Sequence, residues 1–201
     1  MVTKRNPAPQ AAGRASEAFC VVAERSEDTQ ATSYFQPTTF CVAALAFDAR
    51  MKRAAGAYAI AFSEHPEAIT ATELPGRGDC VDEAILADRL AQMRPDVAVT
   101  IDVVASGDLE SPVARCRRVC AHRTVVGVLA ALEIPVRFVA PVDWKHFFDL
   151  SPDKDRTRAK ALQLWPARRD LFGRRRHRAR AEAALAARYL AERIVNEGGA
   201  Q

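Results

Sequence analysis

The chain has 201 residues, enough for one domain with a full core, or for one domain and a tail, and 49% of them are hydrophobic, an ordinary globular share. No apolar run reaches the roughly 18 residues that span a bilayer, and five scattered cysteines (Cys20, Cys41, Cys80, Cys116, Cys120) argue against a disulfide framework. The net charge of +4 is uneven, because residues 141–193 carry 14 Lys/Arg against 7 Asp/Glu and the rest of the chain is at −3; a basic C-terminal third points to a polyanion partner, although a solvated helix face has the same composition.

Residues 1–37 are polar and lack a sustained period, which predicts an arm without a stable fold. Their one apolar patch, "AFCVVA", is too short and too close to acids for a secretory signal, so a cytoplasmic location is expected. Two apolar runs, 40–47 and 54–62, flank the basic "ARMKR" and read as a hairpin. Residues 68–74 supply a third strand and 75–79 a loop. "CVDEAILADRLAQM" reads as a helix, with Val81, Ile85, Leu86 and Leu90 at helical spacing and Asp82 and Glu83 near its start. A strand follows at 97–104, then a helix at 112–132 with Val119, Val126, Leu129 and Ala130 facing inward. "IPVRFVAP" is a short strand bounded by prolines. "VDWKHFFDL" and "DKDRTRAKALQLW" are short helices, and after Gly173 a last helix covers 174–195. The order β-β-β-α-β-α-β-α, closing on helices, predicts an α/β domain over 38–197: a mixed sheet with helices on both faces.

Two acids stand out. Asp48 ends the first strand, and Asp102 sits in the apolar run "VAVTIDVVAS", where an uncompensated carboxylate costs several kcal/mol or more. The C-terminal edges of parallel strands collect active sites. If the first and fourth strands are neighbours, Asp48 and Asp102 meet there and repel unless a cation lies between them. Mg²⁺ suits such oxygen ligands, and two ions about 4 Å apart clamp a phosphodiester. A strand-end Asp also caps loops or accepts from backbone N–H groups, so the pair alone leaves both readings open. Glu182, the only carboxylate between Asp170 and Glu192, lies on the Ala-rich "HRARAEAALAARYL", where small neighbours allow close approach to a sheet; an exposed pair with Arg178 at i−4 accounts for it equally well.

Other residues read more plainly. Cys116 and Cys120 share a helix face, and without a second pair of suitable spacing they are expected to be small buried residues, not a zinc pair. Trp144, Phe147 and Phe148 are expected in the core, and Trp165 at a helix end. His122 and His146 have no ligand-spaced partners.

"APVDWKHFFDLSPDKDRTRAKALQLWP" resembles the signature of RuvC-type Holliday junction resolvases and their phage relatives: a strand ending in Pro, a Trp-Lys, then an Asp-Lys leading an Arg/Ala-rich helix that ends in an aromatic-Pro. "ELPGRGDCVDEAILADRLAQMRPDVAVTIDVV", "RTVVGVLAALEIPV" and "RRHRARAEAALAARYL" resemble the family's other segments, so the resemblance covers roughly residues 40–190. It implies an RNase H-like fold, Mg²⁺- or Mn²⁺-dependent cleavage of branched DNA such as Holliday junctions, and a homodimer. It assigns Asp48, Asp102 and Glu182 to catalysis and metal binding. Lys145, Lys154, Arg156, Arg158 and Lys160, with Arg174, Arg175, Arg176, Arg178 and Arg180, form two basic clusters expected to contact DNA phosphates. The chain departs from the family pattern in three places. Ala49-Arg50 follows Asp48 in place of Pro-Gly, Asp102 replaces the usual Glu, and Ala179 stands where a further ligand is usual, with His177 able to contribute only if the last helix starts after it. These departures leave a catalytically degenerate DNA-binding protein as the alternative, and cleavage of RNA in RNA–DNA hybrids as a more distant one.

Overall fold

A computed structural model describes residues 40–47, 56–78, 80–101, 111–151 and 154–198. These lie in the unit Pro37–Gln201. The predicted arm, Asp48 and Asp102 lie outside the described residues.

Strand β1 (Cys41–Phe47) pairs antiparallel with β2 (Gly56–Phe62), and β2 pairs antiparallel with β3 (Ile69–Glu73). On its other side β1 runs parallel to β6 (Val97–Ile101), which runs parallel to β7 (Val136–Val139). Among the described residues this gives a five-stranded mixed sheet in the order β3-β2-β1-β6-β7. β1 and β6 are covered on both faces, which is why their sequences are continuous apolar runs and not alternating ones. Gly56 opposes Phe47 at the top of the β1–β2 pair, where a Cβ would stand 2.0 Å from the Ala46 carbonyl oxygen. Any side chain there would force the two strands apart.

A small hairpin follows. β4 (Gly76–Arg77) and β5 (Cys80–Val81) pair through a turn with Gly78 at φ +62°. It corrects the predicted loop, and it takes Val81 out of the helix expected to contain it. Helix α1 (Glu83–Met93) starts at its N-cap Asp82, whose carboxylate accepts from the Ile85 N–H at 3.2 Å. Ile85 is exposed rather than inward-facing.

Helix α2 (Pro112–Ala131) is capped by Ser111 and has Pro at its first turn. Its buried stripe is Arg118, Ala121, Val125, Val128 and Leu129, so the inward face is turned from the expected one, and Ala130 is exposed. Cys116 and Cys120, expected to be buried, are exposed as well. α1 and α2 cover one sheet face, packing Leu86, Leu90, Val125 and Leu129 on Leu45, Tyr58 and Ile60.

The remaining helices belong to the other face: α3 (Pro141–Phe147), α4 (Lys154–Leu164), the short α5 (Arg169–Phe172) and α6 (Arg178–Gly198). Trp144, Phe148 and Trp165 are core residues as expected, whereas Phe147 is 40% exposed and meets Tyr189 edge-on. α5 was not anticipated. The predicted final helix splits into a 3₁₀ turn (Arg175–His177) and α6. Ala183 to Ala187 are all fully buried, five consecutive positions that encircle α6; the sheet covers one side and α4 the other.

Candidate active-site edge and nucleic-acid interface

β1, β6 and β7 all run toward one edge of the sheet, ending at Phe47, Ile101 and Val139. The antiparallel register brings Gly56 and Glu73 to the same edge. Phe47 and Ile101 are thus the last described residues of two neighbouring parallel strands, and the chain continues from them into Asp48 and Asp102. Edges of this kind, at the C-terminal ends of adjacent parallel strands, are where α/β sheets place ligands.

Helix α6 reaches this edge with its first turn. Arg180 meets Glu73 at 2.7 Å, both partly sheltered. At the opposite end of α6, Glu197 meets Arg137 near the start of β7. The helix therefore crosses the sheet diagonally, from the top of β3 to the bottom of β7, and its N-terminal end carries Glu182, which is half-buried.

His177 sits just before α6, so the helix does start after it. The ring is 3% exposed, and its Nδ1 accepts from the Arg174 N–H at 3.4 Å, closing the 3₁₀ turn. Burial holds the His177 pKa below its ordinary value; Arg180 and Arg176 push it the same way, and Glu73 opposes them. The lowered pKa favours the neutral ring at pH 7. Ala179, two residues further on, is buried.

The two basic stretches, about 20 residues apart in sequence, meet at Asp155. Arg178 donates to its carboxylate at 3.0 Å. That bond, aided by the charges of Arg178, Arg175 and Arg158 and opposed by burial, keeps Asp155 below the usual carboxylate range. Arg158 donates to the Gly173 carbonyl at 3.2 Å, tying α4 to the segment before α6. At the far end of α4 the Trp165 indole N–H donates to the Pro66 carbonyl, and Arg168 to that of Ile69, both at 2.8 Å. α4 thus runs alongside α6 with its basic end at the strand-end edge. Arg156, Arg174, Arg175 and Arg176 are exposed there, Lys160 is half-exposed and Lys154 opens α4. Arg178 is engaged with Asp155. Lys145 stands apart on α3, with its ammonium 5.5 Å from the Trp144 ring centre.

Sequence reasoning missed Glu73 and Asp155, and counted Arg180 among the phosphate contacts where the structure pairs it with Glu73. Each works through a partner distant in the chain, and a single charged residue gives no local signal of that. Two open concavities lie off this edge. One of about 320 Å³ separates α3 from α6, and one of about 340 Å³ is at the opposite end of the sheet beside Asp96 and Pro135. Among the described residues no three His, Cys, Asp or Glu side chains are grouped to hold a metal, and no helix is long and apolar enough to cross a membrane.

Among solved structures, Thermus thermophilus RuvC in complex with a Holliday junction substrate matches with a TM-score of 0.50 at 12% identity, covering 77% of this chain and 96% of that one. A second T. thermophilus RuvC structure matches over the same shares at 15% identity, with a TM-score of 0.45. No protein-family model matches the chain, and no curated protein does. The first likeness shows the fold. This is an RNase H-like α/β domain with a RuvC-like arrangement, a mixed sheet covered by helices on both faces, as expected from the sequence.

Proposed function

We propose that this protein is a metal-dependent, structure-selective DNA endonuclease that hydrolyses phosphodiester bonds in branched DNA such as Holliday junctions. What supports the reading is the meeting, at one sheet edge, of the parallel strands that lead into Asp48 and Asp102, the start of the helix that carries Glu182, and the arginine patch around Asp155. The donor set is all carboxylate, which suits hard Mg²⁺ or Mn²⁺ and not a soft metal. Bound there, such an ion supplies Lewis-acid stabilisation of charge on the phosphoryl oxygens. Asp48, Asp102 and Glu182 hold it. Arg156, Arg174, Arg175 and Arg176, with Lys145, Lys154 and Lys160, hold and orient the DNA backbone without reading its sequence. A two-fold homodimer fits the symmetry of a four-way junction.

The test is single-turnover cutting of a labelled junction in Mg²⁺ and Mn²⁺, with EDTA as control and a gel shift in Ca²⁺. Asp48→Asn is expected to abolish cutting and keep binding, since Asn retains size and a hydrogen-bonding oxygen but not the charge a hard cation needs. The buried Ala179, at a position where related sites carry a further ligand, favours a second reading, a DNA-binding protein that does not cut. That reading stands if wild type and Asp48→Asn are equally inert with both metals on every branched substrate. Replacing Arg174, Arg175 and Arg176 by Ala should flatten the salt dependence of binding by up to about 0.9 per lost phosphate contact; an unchanged slope would make this run a solvated face.

A further inference from the structure

On the α1/α2 face, three aromatic rings stand in a row beside the strand-end edge. Phe47 is the last residue of β1, and its ring meets that of His122 edge-on at 5.3 Å. His122, on α2, lies 6.0 Å from the ring of Phe138 on β7. β6 runs between β1 and β7, so the row crosses the strand that leads into Asp102. Phe138 closes the row and is 60% exposed, the most exposed aromatic ring among the described residues. Its neighbour Val139 is buried in the α6-face core, which by strand alternation turns Phe138 to the α2 side. Helix α2 carries four arginines, Arg115, Arg117, Arg118 and Arg123, and no Asp or Glu. Arg115 and Arg123 are exposed, and Arg115 lies two turns before His122, on the same side of the helix.

A single exposed phenylalanine is common. This one is braced from behind by His122 and Phe47, and it adjoins a helix whose charged residues are all positive. An open aromatic face beside cations is the combination that binds unpaired nucleic acid. A second copy of α2 on this surface would set arginines against arginines, so the charge favours a polyanion over self-association. Inside a duplex each base is stacked on both faces, and only a base displaced from the stack offers a face to a protein ring. We propose that Phe138 is a stacking platform for one unpaired base of the DNA, with the α2 arginines holding the adjoining backbone. The proposal rests on the nuclease reading for its place beside the cut, and it names the substrate feature recognised there, a nucleotide displaced at the branch. The arginine patch around Asp155 lies on the α6 face of the same edge. Backbone and displaced base are thus held from opposite faces of the sheet.

The experiment is fluorescence anisotropy of the full-length protein in Ca²⁺, which reads binding apart from cutting. The labelled DNAs are a single strand, its fully paired duplex, and the same duplex with one unpaired thymine. Phe138→Ala should weaken binding of the single strand and the bulged duplex by about 5- to 100-fold and leave the paired duplex within about twofold. Phe138→Trp should bind like wild type, whereas Phe138→Leu, which keeps apolar bulk without a ring, should behave like Phe138→Ala. Phe138→Ala should not change the salt slope, and Arg115→Ala should flatten it by up to about 0.7 on the single strand. Irradiation of 5-iododeoxyuridine at the unpaired position should cross-link the peptide that contains Phe138. Equal losses on all three DNAs, no loss on the single strand, wild-type binding by Phe138→Leu, or an unchanged slope in Arg115→Ala overturns the platform. So does a shift from dimer to monomer in sedimentation of Phe138→Ala, which would assign the ring to a second copy of the chain. Asp48→Asn should show the wild-type binding pattern. If wild type cuts junctions while Phe138→Ala binds every DNA as wild type does, the nuclease reading stands and the platform falls; if nothing is cut but the binding pattern holds, the reverse is true.

Discussion

On the α1/α2 face the sheet is covered by Leu86, Leu90, Val125, Val128 and Leu129 against Leu45, Tyr58 and Ile60. On the α6 face the shared core is rich in alanine, with Ala181, Ala183, Ala184, Ala186, Ala187 and Ala191 of the helix and Ala44, Ala46, Ala59 and Ala61 of β1 and β2, beside larger residues such as Val42, Val99, Leu185 and Leu190. The first face gains its stability from large side chains, each of which removes much apolar area from water. The second gains less per residue but loses no side-chain entropy, and alanine favours the helix itself. It also has no rotamers with which to adjust. The large-residue face can repack, whereas the alanine face sets the height of α6 over the sheet by near-backbone contact. The alanine face is also the one whose helix delivers Glu182, and the clamp of Arg180 on Glu73, to the edge where β1 and β6 end. Small-residue packing thus lies under the helix that carries the proposed ligand Glu182, and large-residue packing on the opposite face.

The largest expected effect breaks the generic face. Leu129 is fully buried, and Leu129→Ala should cost about 2–5 kcal/mol in denaturant unfolding, while junction cutting per folded molecule stays within about twofold. A fall in cutting that matched the fall in stability would show both faces positioning the site. Next, Ala184→Leu overpacks the α6 face, where Ala184 is fully buried. It should cost about 1–3 kcal/mol, less than the first change, yet reduce cutting far more, because it lifts the helix that carries Glu182. A variant destabilised by this amount but fully active would end the placement argument.

A smaller effect is expected at the clamp. Glu73→Gln keeps the shape and removes one charge of the Arg180 pair, whose side chains are 37% and 17% exposed. Partial exposure limits the stability loss to about 1 kcal/mol. A double-mutant cycle of Glu73→Gln with Arg180→Gln measures the pair directly. A coupling energy of zero would mean that the alanine face alone fixes the start of α6.

The contrast between the faces also explains what was legible in the sequence. The five main strands and the helices α1, α2 and α6 announce themselves through apolar runs and helical spacing, and the basic clusters through composition. The inward stripe of α2 was misread because it runs through Arg118, a residue that any pattern assigns to solvent. The hairpin β4–β5 has two residues per strand, too few for a period. The start of α6 was placed too early because the 3₁₀ turn Arg175–His177 is held by the Arg174–His177 contact, which no propensity encodes. At the candidate site, the adjacency of β1 and β6 enters the sequence reading only as a supposition, and their parallel pairing in the fold supplies it. The Glu73–Arg180 and Asp155–Arg178 pairs join residues on different elements and become visible only once the chain is folded.

The smallest stability effect is expected at Asp155, and it sharpens the comparison electrostatically. Its carboxylate is held below the ordinary range by Arg178, so the contribution of the pair to stability is complete above the ordinary carboxylate pKa and is lost as pH falls through the lowered one. Between pH 7 and 5, thermal midpoints of wild type and Asp155→Asn should therefore run parallel; below about pH 4 they should converge, as wild type protonates. Binding should respond in the other direction. Asn at 155 removes a negative charge from the arginine patch and frees Arg178 for phosphate, so junction affinity at pH 7 should rise about two- to fivefold and the salt slope steepen by up to about 0.9. The matched control lies on the other face. Asp82 pairs with Arg77 at 3.3 Å and caps α1, and Asp82→Asn keeps the cap while removing the charge. It should leave both affinity and salt slope unchanged. If Asp82→Asn tightened binding as much as Asp155→Asn, the gain would come from net charge, and the patch at the start of α6 would have no special place in holding DNA.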